Sequence, residues 1–192
     1  MKHTLCCALC LLCATLLLAV LPTEAEADIY DGTLRLHVLA ASDGEEDQSI
    51  KLRVRDRLLE VYGERLAVAD SMAEATATAE DLLPVIEADV NEWLTLWGVP
   101  YGATVTLSRE DYGTRYYDGF ALPKGEYMSL RVLLNEGNGK NWWCVMYPPM
   151  CLELSEGKER VQGYTDEQWR LIDGDGRTVK FKLLEVLSDL FG

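Results

Sequence analysis

The opening of this chain constrains its fate more than any other segment. Lys2 and His3 form a short basic head, an apolar run extends from Leu5 to Leu21, and Pro22 and the small-x-small tripeptide Ala25-Glu26-Ala27 follow. A positive head, an apolar stretch and such a tripeptide form a secretory signal. Residues 1–27 therefore read as a signal peptide cleaved after Ala27, and residues 28–192 as one extracytoplasmic domain with room for a real core. The 17-residue run is slightly long for a cleaved signal and slightly short for a spanning helix, so an uncleaved membrane anchor is the alternative. A lipid-attachment cysteine does not fit, because Cys10 and Cys13 lie inside the run without small residues just before them.

The 192-residue chain carries 18 basic and 32 acidic residues, a formal charge of −14. Such an acidic body repels phosphate backbones and anionic membrane surfaces, so neither nucleic acid nor stable membrane insertion after signal cleavage is expected. Of six cysteines, Cys6, Cys7, Cys10 and Cys13 lie in the leader, while Cys144 and Cys151 remain. Two closely spaced cysteines in an exported chain suggest one disulfide, and two buried free thiols are the other reading.

Leu34, Leu36 and Val38 alternate with Arg35, His37 and Leu39, a strand with one buried face. Ser42 or Asp43 then caps a helix to about Gly63, whose first turn gathers acidic residues as the macrodipole favours. Ile50, Val54, Leu58, Val61 and Tyr62 supply its apolar side. Ser71 and Glu74 fit a capping box for a second helix that stops near Leu83, and Pro84 opens a third that reaches Gly98.

The middle of the chain becomes strand-like at Ala103–Leu107, Tyr127–Leu134 and Trp142–Tyr147. Tyr112, Tyr116 and Tyr117 fall in a hairpin arm or long loop, and residues 135–140 form a glycine-rich turn. Residues 153–168 read as a polar, mobile stretch, and residues 177–191 as a C-terminal amphipathic helix. The fold class is α+β: a small, mostly antiparallel sheet covered by helices.

Several motifs invite chemistry and fail on spacing. Gly137-Asn138-Gly139-Lys140 lacks the earlier glycine and the following Ser or Thr of a phosphate loop. With Gly176 as the turn glycine of a calcium loop, Leu171 and Lys182 would fall at positions that need carboxylates. His37 is the one histidine beyond the leader, and one His with two Cys is a thin set for zinc, which needs three or four ligands. No catalytic, cofactor-binding or metal-binding residue is therefore expected. The competing class is an extracytoplasmic thiol-dependent enzyme, for which Cys144 and His37 are the one plausible pair. A membrane-tethered structural module is a third class and requires the leader to stay attached.

Two segments carry more information. One comprises His37-Val38-Leu39-Ala40-Ala41-Ser42-Asp43 with Asp47-Gln48, Lys51 and Val54-Arg55-Asp56. The other runs from Glu136 through Gly139-Lys140-Asn141-Trp142-Trp143-Cys144 to Pro148-Pro149-Met150-Cys151. Stiff aromatics beside a rigid loop suit a small core or a recognition surface. Ser42, Asp43, Trp142, Trp143, Pro148 and Pro149 are accordingly the candidate partner-binding residues. In a strand the two Trp neighbours point to opposite faces, so one is expected buried and the other exposed.

Together these segments resemble the signatures of the stage II sporulation protein R family of endospore-forming bacteria. The similarity runs from about Leu34 to Cys151 and includes Pro123-Lys124-Gly125-Glu126-Tyr127. Ala41 departs from the pattern, where Asn is expected before the Ser-Asp pair; after Cys151 the match is a terminal amphipathic helix alone. The resemblance implies a secreted signal made in the forespore and exported into the space between the forespore and mother-cell membranes. There it would activate a membrane-embedded aspartic protease of the mother cell, which processes the sigma-E precursor.

Overall fold

The computed structural model describes residues 24–117, 120–150 and 163–172, together with Cys6, Cys7, Cys10 and Cys13. The chain divides into two compact units, one of Ile29–Gly113 and Lys124–Tyr164, the other of Met1–Asp28, Thr114–Pro123 and Thr165–Gly192. In chain order the elements are α1 (Glu24–Asp31), β1 (Leu34–Leu39), α2 (Glu45–Ala67), α3 (Met72–Leu96), β2 (Ala103–Tyr112), β3 (Arg115–Tyr117), β4 (Phe120–Leu122), β5 (Gly125–Leu134), β6 (Asn141–Tyr147) and α4 (Asp166–Ile172). The expected α+β class is correct. The expected helix over 177–191 lies outside the described residues, as does most of the stretch read as mobile, although 166–168 of it begin α4.

The larger unit is a four-stranded sheet in the order β2-β5-β1-β6. The central β1–β5 pair is parallel, with Leu34 opposite Met128, and the outer pairs are antiparallel. Leu36, Val38, Val105, Leu130, Val132, Leu134, Cys144 and Met146 face α2 and α3 in one core cluster, which Val54, Leu58, Tyr62, Ala79, Ile86 and Val90 complete from the helices. Val61, expected in that core, is exposed, and the helix buries Leu66 one turn later instead.

Three expectations need correction. The cap of α2 is Gly44, not Ser42 or Asp43, and the helix runs four residues beyond Gly63. Ser42 Oγ does accept the Gly44 N–H, at 3.1 Å, so the serine organises the residue that caps. The two helices expected on either side of Pro84 are one continuous helix, α3. An internal proline costs about 3 kcal/mol. Here Pro84 and Glu80, whose carbonyl it frees, are both exposed, so water can satisfy that carbonyl. One unbroken buried stripe from Ala75 to Leu94 outweighs the remainder.

The third correction is β1, which is buried on both faces. Its second face holds Arg35 and His37 among Tyr112, Tyr127, Glu110 and Ser129, a polar layer opposite the helices. The serine half of the expected capping box of α3 forms, with Ser71 Oγ accepting the Glu74 N–H at 3.2 Å, while the Glu74 carboxylate accepts the N–H of Asp70, one residue before the cap, at 2.9 Å.

In the smaller unit, β3 and β4 form a two-stranded sheet with Tyr117 stacked on Phe120, and α4 packs on β4. Thr165 and Gln168 form a reciprocal capping box for α4, with Gln168 N–H bound by Thr165 Oγ1 and Thr165 N–H by Gln168 Oε1. Among the described residues no helix is long and apolar enough to cross a membrane.

Candidate functional site

The two informative segments, distant in sequence, meet at one end of the sheet. β1 ends at Leu39 and β6 begins at Asn141, paired directly opposite each other. The loop that leaves β1 (residues 40–44) therefore lies against the turn that enters β6 (residues 135–140). Gly139 N–H donates to Ala40 O at 2.9 Å, and Lys140 N–H donates to Asp43 Oδ1 at 2.7 Å. Asn135 and Gly137 hold positive φ, 54° and 66°, which gives the turn its tight path.

The first turns of α2 brace this junction. Gln48 Nε2 donates to Ser42 O at 2.8 Å, while Lys51 Nζ donates to Gln48 Oε1 at 2.7 Å and to Lys140 O at 3.1 Å. Asp47 accepts from Ser42 Oγ at 2.5 Å and from the Tyr101 hydroxyl at 2.6 Å. Those two hydrogen bonds hold the Asp47 carboxyl below the usual carboxylate range. Burial lowers the Lys51 ammonium, assisted by nearby Arg55. Asp47 and Lys51 sit one helical turn apart, so a single helix face reaches both loops. Asp47, Gln48 and Lys51 stand out in the sequence as part of an informative segment, but their role depends on partners distant in sequence. Tyr101 is not legible in the sequence, since an isolated tyrosine after a helix carries no signal of its partner.

Ser42 and Asp43 are exposed and close to the start of β6, where Trp142 and Trp143 sit. Both tryptophans are half-buried, on opposite faces, so the expected buried-and-exposed division does not occur. Trp142 packs on the helix-facing core under the Arg55 guanidinium, 5.0 Å from the ring centroid. Trp143 stacks on His37 at 5.6 Å. Pro148 and Pro149 are buried rather than displayed. They follow the far end of β6, roughly 20 Å from Trp142 at the usual strand rise. Ser42, Asp43, Trp142 and Trp143 thus share one end of the sheet, and the proline pair does not.

Cys144 and His37 do not meet as a catalytic pair. Cys144 is paired with Leu36 on the helix-facing side, and His37 with Trp143 on the other. His37 Nδ1 lies 3.0 Å from Glu110 Oε2, so the imidazole is held by a carboxylate within the polar layer. Cys144 is fully buried and is not among the free cysteines. Cys151, the other half of the expected bridge, lies outside the described residues. No group of three or more His, Cys, Asp or Glu side chains among the described residues could hold a metal.

The polar layer has a measurable consequence. Burial alone would raise the Glu110 carboxyl, but hydrogen bonds from His37, Ser129 and Tyr112 and the charge of His37 outweigh it and hold the carboxyl at about 2. Its ordinary value is 4.5, so this stabilisation is present above about pH 4.5 and is lost as pH falls towards 2. Unfolding free energy should fall by about 2–3 kcal/mol across that window beyond what other groups cause. In Glu110→Gln the curve should be flatter there. Chemical denaturation at a series of pH values checks this, and parallel curves for the two proteins would refute it.

Comparison with known proteins agrees with these segments. The family model described as stage II sporulation protein R matches residues 30–156. The stage II sporulation protein R of Bacillus subtilis (strain 168) is 31% identical over 186 residues, spanning 85% of this chain and 83% of that protein. No solved structure matches.

Proposed function

The chain belongs to the stage II sporulation protein R family, and from that premise we propose that it acts in sporulation as a secreted forespore-to-mother-cell signal. It is exported into the space between the two membranes and activates a membrane-embedded aspartic protease of the mother cell, which then processes the sigma-E precursor. It works as a ligand and performs no chemistry of its own. The observation that supports this reading is the convergence of the family-like segments on one polar rim. The exposed Ser42 and Asp43 and the half-buried Trp143 lie around a junction fixed by six side-chain hydrogen bonds. A surface ordered before contact loses little entropy on binding.

Co-production with the protease and the sigma precursor tests the reading. The wild-type chain should yield cleaved precursor. Trp143→Ala should reduce cleavage at least about tenfold while the protein remains folded, the size of effect a central aromatic contact has. Cys144→Ser and His37→Ala should retain activation if they fold. Absence of cleavage with the wild-type chain, with all three components present, would overturn the proposal. Activation lost in a folded His37→Ala or Cys144→Ser protein that still binds the protease would favour the enzyme class.

We also propose that Cys144 and Cys151 are bridged, closing the loop that contains Pro148 and Pro149. Replacing either should cost about 2 kcal/mol. Free alkylation of both thiols in exported, unreduced protein would exclude the bridge.

A further inference from the structure

β2 is an edge strand among the described residues, and its outer edge is treated in two different ways along its length. Near its start, side chains of α3 occupy the outward backbone groups. Asn91 accepts the Ala103 N–H and donates to the Ala103 carbonyl, both at 2.9 Å, and Glu87 accepts the Val105 N–H at 2.8 Å. Outward groups recur at every second residue of an antiparallel strand. The next in the series are those of Leu107, Arg109 and Asp111, which have no backbone partner among the described residues.

Beside this open stretch lies a groove of about 370 Å³. Met72, Ala73 and Thr76 of α3 line it together with Met128, and Glu80 and Arg109 stand at its rim. The small side chains at Ala73 and Thr76 leave the room that a larger residue would fill. An unpaired strand edge next to a partly apolar groove is the arrangement by which an added strand is recognised, with main-chain hydrogen bonds for affinity and a pocket for alternate side chains.

We propose that the Leu107–Asp111 edge of β2 accepts an extended segment of a partner protein, which adds a fifth strand and places an apolar side chain in this groove. Charge selects the segment. Arg109 is already paired with Asp31 at 2.8 Å and lies 3.7 Å from Glu126, while Glu80 and Asp111 are exposed. The added strand therefore carries a basic residue two positions from its apolar one, on the same face. A second copy of this chain fits poorly. Antiparallel pairing of two β2 edges about Arg109 sets one arginine opposite another, and each copy brings a charge of −14. The site lies on the sheet edge opposite β6, so it is independent of the rim invoked for protease activation.

The probe is an acetylated, amidated heptapeptide that alternates threonine with valine and lysine, so that valine and lysine share one face, compared with the same peptide N-methylated on its edge-facing amides. With the full exported chain, the unmethylated peptide should slow hydrogen exchange at the Leu107, Arg109 and Asp111 amides at least about tenfold. The methylated peptide should not. Asp111→Pro removes one outward donor at an edge position that tolerates proline, so the protein should stay folded and lose the effect. Ala73→Leu, at an exposed helix position that lines the groove and would fill it, supplies a second variant with the same expectation. Either of two results overturns the proposal: no protection by the peptide at millimolar concentration, or equal protection by its methylated form. Protection of these amides in the free protein together with a dimeric mass would overturn it in favour of self-association. Precursor cleavage by wild-type chain is unaffected by any of these results, so the two readings fail separately.

Discussion

Gly139→Ala should destabilise the protein by about 3 kcal/mol or more and abolish protease activation. A Cβ at this position would lie 2.1 Å from the carbonyl oxygen of Ser42 and 2.4 Å from its carbonyl carbon. Those are backbone atoms, so no rotamer change relieves the contact. Nor can the loops separate cheaply, because Gly139 N–H and Lys140 N–H are both committed to the facing loop. The neighbouring Asn138 is exposed and, among the described residues, bonds within its own turn, to Glu136. Asn138→Ala should thus change stability by less than about 0.5 kcal/mol. Urea unfolding of the two variants, with precursor cleavage as the second readout, makes the comparison. Equal midpoints for Gly139→Ala and wild type would mean that the two loops are not in this contact.

Arg35→Ala should cost about 3–5 kcal/mol, the range of large truncations in a packed interior. Arg35 is fully buried, with its guanidinium carbon 3.9 Å from the Tyr112 ring centroid and 4.9 Å from that of Tyr127. Tyr127 in turn meets Tyr30 and Tyr112 edge to face, at 5.3 and 5.8 Å. The three rings and the arginine stem are one packed unit, and truncation leaves a cavity among aromatics. Arg35→Met keeps most of the volume without the charge. It should lose far less, about 1 kcal/mol, because an apolar isostere of a buried ion carries no desolvation penalty. Thermal or denaturant unfolding separates the two outcomes. Equal large losses would show that the charge, rather than the packed volume, holds this layer.

Sequence patterning located most elements because their signals are local. The alternation at Leu34–Val38, the Ser71–Glu74 box and the glycine turn at 135–140 each depend on residues within one or two turns of chain. What escaped depends on distant partners. Arg35 and His37 read as a wet face, since nothing near them announces that Tyr112 and Tyr127 arrive from elsewhere to surround the guanidinium. Pro84 read as a stop because local backbone chemistry says so, whereas burial along the whole of α3 decides the matter. At the candidate site the family-like residues were legible, but their division of labour was not. Ser42 and Asp43 lie at the same end of the sheet as the Trp pair and the buried Pro148-Pro149 at the other, and adjacency along a strand hides which end a residue occupies.

The order of strands in the sheet also sets a schedule for assembly. β2 and β5 pair over ten residues around a modest separation, and α3 stands beside them in sequence, so this part can form early. β1 comes from near the start of the chain and pairs with a strand roughly ninety residues later, a slow closure. Among the described residues β6 is joined to the sheet through β1 alone. The junction of Ser42 with Gly139, and the tryptophans beside it, therefore cannot exist until chain from both ends of this span has emerged and docked. A fragment that lacks either segment thus cannot present that surface.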